Sequence, residues 1–345
     1  MSSRSRGRAR ARGGGLSTFA LLSIAALVVV WGPSVWKLAR VSWLLPCADI
    51  GKDLYYPADG VEIIPPIIHH FTKYATIPEE WDLPYQSTKG VHKKYTSGKG
   101  KEETYEHKLW TDEKVEKFMR KEAPDFFETT YDKYPYKIEQ VDAARYFVLW
   151  YYGGVYVDMD VGMRRSLDNL RRLDGEHTPS KTNLILPLTK PLGVSNDFMM
   201  ASPRHPFFAF VTQRLVSRSH ESWFYLSPFF RVLWTTGPLF LSVAFYDYLS
   251  GTASPAERAE AAFLCNADYT RHLLFHVPGS SWLKWDGWTL LVLWYWVLPV
   301  AAWALPLLVV AALVVVYAAR SVQRRQRASL EGTTPLSAVA TRRHR

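Results

Sequence analysis

The chain has 345 residues, 48% of them hydrophobic, with 14 Trp, 19 Tyr and 17 Phe. That is enough apolar mass for one sizeable domain with its own core, and it is not the composition of a disordered, collagen-like or disulfide-scaffold chain. The net charge of +10 sits in two tails, five Arg in residues 1 to 15 and seven Arg against Glu331 in 318 to 345, so the body is near −1, and basic tails without interleaved aromatics argue against nucleic-acid binding.

After the basic tail 1–15, Leu16 to Trp36 is an uncharged run of 21 residues, about 31 Å as a helix and so matched to a bilayer core. An uncleaved anchor is favoured over a cleaved signal peptide, because the run ends in Gly32-Pro33-Ser34-Val35-Trp36 rather than in a small-x-small site. Residues 37–62 read as a stem, with Pro46, Pro57 and Gly60 and no sustained periodicity. Cys47 in that stem and Cys265 far downstream fit no zinc or redox spacing, and whether they bridge stays open.

From 63 to 286 apolar runs alternate with helical patterns. Ile63 to Phe71 and Tyr105 to Trp110 are strand candidates, and Ser87 to Glu103 reads as a loop. Asp112 is placed to cap a helix over Glu113 to Glu122, which Pro124 ends. Ile138 to Tyr152 has helical spacing and stops at Gly153-Gly154, before the short run Val155 to Val157 and Asp158-Met159-Asp160. Strands are expected at Asn183 to Pro187 and Phe198 to Ala201, with a helix after Pro206. The alternation predicts an α/β sheet domain. Trp223 to Leu249 is aromatic, but Arg231 and Gly237-Pro238 interrupt it, which argues core or a membrane-facing approach rather than a third span.

Gly287 to Ala319 is uncharged for 33 residues and Trp-rich at its start. It is too long for one straight span and too short for two, which suggests an interfacial segment followed by a span over roughly 298–319. The competing reading is a buried core helix. Arg clusters abut both spans on their outer sides, so both termini, including the tail 320–345, are expected in the cytosol with the body lumenal or extracellular.

Asp158 and Asp160 lie two apart after a strand run, so both carboxylates can share one side of a sheet edge, where ligands of open α/β sheets bind. Paired carboxylates repel unless a cation lies between them, and hard oxygen donors suit Mg²⁺ or Mn²⁺ carrying a diphosphate. An Asp-x-Asp pair alone arises by chance about once in such a chain. Asp142 and Arg145, three apart on the preceding apolar helix, are either a structural pair or a second part of the same site.

The string from Tyr134 through Asp142, Arg145 and Gly153-Gly154 to Asp160 resembles the DXD region of family 32 glycosyltransferases. The likeness begins at Ile64-Pro65-Pro66-Ile67-Ile68-His69, includes Leu109-Trp110-Thr111-Asp112-Glu113, and runs to about Asp286. Gly193 to Met199, Ala201 to Phe208, Thr236 to Leu241 and His276 to Trp282 make it most similar to the fungal members that are catalytic subunits mannosylating inositol phosphorylceramide. The resemblance implies a nucleotide-sugar-binding (GT-A-like) domain flanked by transmembrane helices, facing the Golgi lumen. It implies a retaining transfer of mannose from GDP-mannose to inositol phosphorylceramide with Mn²⁺ or Mg²⁺, and a regulatory membrane subunit as partner. Carried onto this sequence, Asp158, Asp160 and His276 would hold the metal, and Asp158, Asp160, Asn196 and Asp197 would form the catalytic set. His69 would lie near the nucleotide, Asp142 and Arg145 on the donor sugar, and Gly279, Ser281 and Trp282 over the diphosphate. His70, Phe71, Thr72 and Lys73 depart from the family's usual Gln and aromatic after the first His, as Leu283 does from the His often following the late Trp. The alternatives are an N-glycan outer-chain mannosyltransferase and a non-catalytic transferase-like membrane subunit.

Overall fold

A computed structural model of the chain describes residues 32–41, 64–96, 102–168, 183–189, 193–220, 227–259, 261–265, 272–278, 285–292, 317, 320 and 321. Both expected spans and both basic tails lie almost wholly outside these residues. The chain divides into two units, Met1–Trp282 and Leu283–Arg345. The described part of the second is chiefly a helix over Trp285–Val292, with Trp285 exposed.

In the first unit residues 32–41 are helical. There follow β1 (Ile67–Thr72), α1 (Glu79–Val91), β2 (Lys94–Thr96), β3 (Glu102–Thr104), β4 (Glu106–Thr111), α2 (Asp112–Glu122), α3 (Pro124–Thr129), α4 (Lys137–Tyr152) and β5 (Gly154–Val157). Next come β6 (Val161–Met163), β7 (Leu184–Pro187), β8 (Phe198–Ala201), α5 (Pro206–His220), α6 (Pro228–Thr235), α7 (Pro238–Asp247), α8 (Pro255–Ala259), β9 (Ala261–Leu264) and β10 (Leu274–His276). The central sheet has the order β4-β1-β5-β8-β7-β9. β8 runs antiparallel to both its neighbours and the other pairings are parallel, so five of the six strands point the same way.

The sheet is covered on both faces, and its residues alternate between two cores as the period of a strand requires. Phe71, Trp110, Tyr156, Leu184, Leu186, Met199 and Phe263 join the core that includes α4. Their neighbours Val155, Val157, Ile185, Phe198, Met200 and Leu264 join the opposite one. All four residues of β5, β7 and β8 are buried, which is why these strands read as continuous apolar runs.

The reversal from α4 into β5 depends on two glycines. Gly153 and Gly154 have φ of 63° and 89°, a region that strains any L side chain. A Cβ on Gly154 would lie 2.5 Å from the Ile67 carbonyl oxygen, and one on Gly153 2.5 Å from the Pro203 nitrogen. This turn lays β5 beside β1 and delivers Asp158 to the end of the sheet.

The structure corrects three local expectations. The segment read as a loop from Ser87 to Glu103 begins inside α1 and continues into β2 and β3. Pro84 sits within α1 and hid it; Ser87 and Thr88 hydroxyls donate back to the Pro84 carbonyl at 2.7 and 3.0 Å. The cap of α2 is Thr111, whose Oγ1 accepts from the Lys114 amide, while Asp112 is the first helical residue. The stem does not begin at 37, since residues 37–41 are helical and Leu38 and Val41 are buried. Pro228–Thr252 is long and apolar enough to cross a membrane by length and composition, but 67% of its apolar window is buried inside the domain, with Phe229, Trp234, Phe240 and Phe245 in the core. Cys265 is disulfide-bonded, and the only other cysteine in the sequence is Cys47.

Candidate active site

Arg145 organises the site. From the middle of α4 its Nη2 lies 3.0 Å from Asp142 Oδ1, and its Nη1 lies 3.1 Å from Asp158 Oδ1. The same Nη1 donates to the Asn196 carbonyl at 2.7 Å, and the guanidinium stands 4.6 Å over the Tyr156 ring. One buried fork therefore ties α4, the end of β5 and the segment before β8. Asp142 is just as enclosed: Asn196 Nδ2 donates to its Oδ1 at 3.0 Å, and Thr236 Oγ1 to its Oδ2 at 3.1 Å. Asn196 Nδ2 also lies 3.2 Å from the Tyr146 hydroxyl, which donates to the Thr236 carbonyl at 2.6 Å. Burial pushes the Asp142 carboxyl up to about 6, against the opposing charge of Arg145. Both oxygens of Asp142 are thus taken by protein donors, and at 4% and 2% exposure Asp142 and Arg145 form a buried ion pair in which Arg145 Nε is left without a hydrogen-bond partner.

Asp158 is the more open end of this network. It accepts from the Tyr156 hydroxyl, and its amide donates to the Asp197 carbonyl at 2.8 Å. Beyond it, β6 pairs antiparallel with β10, setting His276 opposite Val161, and the Val277 amide donates to the Asp160 carbonyl at 2.9 Å. A ribbon closed by residues more than a hundred apart therefore carries His276 to the Asp-x-Asp turn.

Three carboxylates lie within electrostatic reach of one another there. Burial, followed by the charges of Asp158 and Asp197, pushes Asp160 up to about 7, with His276 opposing. His276 Nε2 pairs with Asp197 Oδ2 at 2.9 Å. Burial, the largest single influence, would raise the Asp197 carboxyl, but the His276 hydrogen bond and charge, with Ser195 and Arg145, together outweigh it and hold the group below its usual range, while the same bond raises His276. Asp197 Oδ1 is buried without a hydrogen-bond partner. An acceptor left bare beside two crowded carboxylates is a place that a hard divalent cation would stabilise. The expected triad of Asp158, Asp160 and His276 is nonetheless not assembled, because His276 is engaged by Asp197. Among the described residues no three such groups converge into a ready coordination shell.

His69 corrects a further expectation. It is fully buried; Trp110 Nε1 donates to its Nδ1 at 3.0 Å, and its Nε2 donates to the Gly153 carbonyl at 2.9 Å. Burial holds its pKa down to about 3, so it is a neutral pin between β1, β4 and the glycine turn, with no polar edge left for a nucleotide. Gly279, Ser281 and Trp282 lie outside the described residues. Tyr146, Tyr156 and Thr236, whose hydroxyls complete the network, had no expected role, although all three lie in the strings that carry the resemblance.

Residues 78–175 match the family described as glycosyltransferase sugar-binding region containing DXD motif. That segment holds Asp142, Arg145, Asp158 and Asp160, while Asn196, Asp197 and His276 are supplied from beyond it. The chain is 34% identical over 264 residues to inositol phosphoceramide mannosyltransferase 1 of Schizosaccharomyces pombe, covering 74% of this chain and 76% of that protein. The chain belongs to this DXD glycosyltransferase family. It is also 38% identical to mannosyl phosphorylinositol ceramide synthase CSH1 of Saccharomyces cerevisiae over 66% of this chain and 54% of that one. For the synthase SUR1 of the same yeast the values are 40%, 54% and 43%. Among solved structures the PaToxG glycosyltransferase aligns over 58% of this chain and 74% of that one, with a TM-score of 0.38 and 17% identity. The protein is thus a glycosyltransferase, with its family residues gathered at the end of β5.

Proposed function

We propose that this transferase moves mannose from GDP-mannose to inositol phosphorylceramide, with retention at the anomeric carbon, in a GT-A-type domain. The observation that carries this is the 34% identity extending over 76% of an inositol phosphoceramide mannosyltransferase, on a chain that keeps Asp142, Arg145, Asp158, Asp160, Asp197 and His276 in one connected cluster.

The chemistry follows from the charges. Arg145, held in a dry fork, sets the orientation of Asp158 and of the Asn196–Asp197 backbone, so that the end of β5 is preorganised before substrate arrives. Asp160, with Asp197 and, on leaving its present partner, His276, would hold a Mn²⁺ or Mg²⁺ ion; that ion would offset the charge of the departing diphosphate. Asp158, whose side chain is part-exposed, would contact the donor. In a front-face route the leaving phosphate accepts the proton of the acceptor hydroxyl, and no dedicated protein base is needed. Asp142 acts here through Arg145 and Asn196.

We infer a lumenal Golgi domain with cytosolic termini. The Arg-flanked uncharged runs support it, as does the disulfide at Cys265, which an oxidising compartment preserves. Expression in a fungal strain unable to mannosylate inositol phosphorylceramide tests the acceptor. Mass spectrometry of its sphingolipids should recover the mannosylated species, and restored N-glycan outer chains with unchanged sphingolipids would overturn the assignment.

A further inference from the structure

The segment expected to be a loose stem is partly built into the domain. Leu38 is 4% exposed and packs with Trp234 and Val243, and Val41 is fully buried in the main core. Lys37 Nζ lies 2.7 Å from Asp247 Oδ1, while Arg214 holds the other oxygen of that carboxylate at 2.9 Å. Trp36 meets Tyr246 edge-on, with ring centroids 5.5 Å apart. Three successive side chains, Trp36, Lys37 and Leu38, and that of Val41 therefore contact α6, α7 and the core, far more than a tether requires.

The contacts continue to the site. Next to Val243 on α7, Ser242 Oγ accepts from the Val194 amide at 2.8 Å. Gly193, φ 92°, lets the loop approach so closely that a Cβ there would stand 2.3 Å from Ser242 Oγ and 3.6 Å from Leu38 Cδ2. The loop so held runs directly into Asn196 and Asp197, whose carbonyls accept from Arg145 and from the Asp158 amide. A continuous packed path thus joins the helix at 32–41, through Leu38 and Ser242, to the backbone beside Asp158.

We propose that Leu38, with Lys37 and Val41, is a positioning residue for sugar transfer: the helix at 32–41 is a strut of the catalytic domain that fixes the 193–197 loop. The uncharged run that leads into this helix begins at Leu16, so the strut also ties the site to the membrane-proximal end of the chain. The inference rests on the reading of the cluster around Arg145 as the transfer site.

The test uses the full chain in detergent micelles, with donor and acceptor both solubilised so that delivery to a membrane is not limiting. Wild-type transfer tests the function itself, before any variant is considered. Leu38→Ala should then lower turnover per folded molecule at least tenfold with the KM for donor within about twofold. Hydrogen exchange at the Val194 amide should quicken by a similar factor while β1 and β4 stay protected. Lys37→Ala, at a partly exposed ion pair, should do the same to a smaller degree and serves if Leu38→Ala does not fold. Unchanged turnover and exchange would show that the helix is only a tether. Exchange quickened equally across the sheet would show a general loss of stability, and either result overturns the proposal.

Discussion

Arg145→Lys separates charge from geometry at the centre of the site. The guanidinium serves three acceptors on three segments, Asp142 at 3.0 Å, Asp158 at 3.1 Å and the Asn196 carbonyl at 2.7 Å. An ammonium on a shorter stem cannot span that fork and retains one of them. Hydrogen bonds to charged groups contribute about 1.5–3 kcal/mol each, and losing the planar stack on Tyr156 adds to the loss. A destabilisation of about 3–4 kcal/mol is therefore expected, smaller than the upper end for removing a buried partner outright. In a domain of this size that lowers Tm by about 6–16 °C. Turnover normalised to folded protein should fall at least about a hundredfold, some 2.7 kcal/mol of transition-state stabilisation, because Asp158 and the 196–197 backbone lose their common support. Thermal melting and single-turnover transfer on the same preparation read both numbers. Wild-type Tm and turnover in Arg145→Lys would refute the reasoning, since the residue would then supply charge alone.

Asp160→Asn should abolish measurable transfer yet raise the Tm of metal-free protein by a few degrees, because it removes one of the repelling carboxylates; a lower Tm with activity kept would contradict this. Thr236→Val leaves Asp142 Oδ2 without its donor and should cost about 1–3 kcal/mol in urea unfolding, with no change meaning that this oxygen finds another partner. His69 and His70 are held down to about 3 and His205 to about 4 by burial. The unfolded chain protonates these groups near 6.5, so stability is fully present above that pH and falls below it. Moving from pH 7 to pH 5 should remove about 2 kcal/mol for each, while Asp142 and Asp160, pushed up to about 6 and 7, return about 1 and 2 kcal/mol, so a net fall is expected, and a higher unfolding midpoint at pH 5 would show that the imidazoles are not buried neutral.

The parts of the fold that were legible are those whose signal is local. β5, β7 and β8 lie where the apolar runs are, α4 ends at the glycine pair, and the Asp-x-Asp turn follows a buried strand. What could not be read depends on distant residues or on a misleading local one. Pro84 masked α1, Thr111 rather than Asp112 took the cap, and while the resemblance brought His276 to Asp160, neither the β6–β10 pairing that carries it there nor its bond to Asp197 had a local signal. Asp142 and Arg145 were identified as a pair, but their enclosure comes from Asn196 and Thr236, fifty and ninety residues on. His69 fell on the expected strand but in its middle rather than at its end, where Trp110 and the Gly153 carbonyl take both ring nitrogens, and nothing local distinguishes that from a ligand-facing histidine.

The central claim is tested most directly by incubating the purified full chain with GDP-mannose, inositol phosphorylceramide and Mn²⁺, and following the lipid by mass spectrometry. The account predicts a lipid heavier by one hexose, formed by the wild type, lost on chelation, restored by fresh metal and absent with Asp160→Asn. Donor hydrolysis or transfer to an oligomannose glycan with the lipid left unmodified would contradict it.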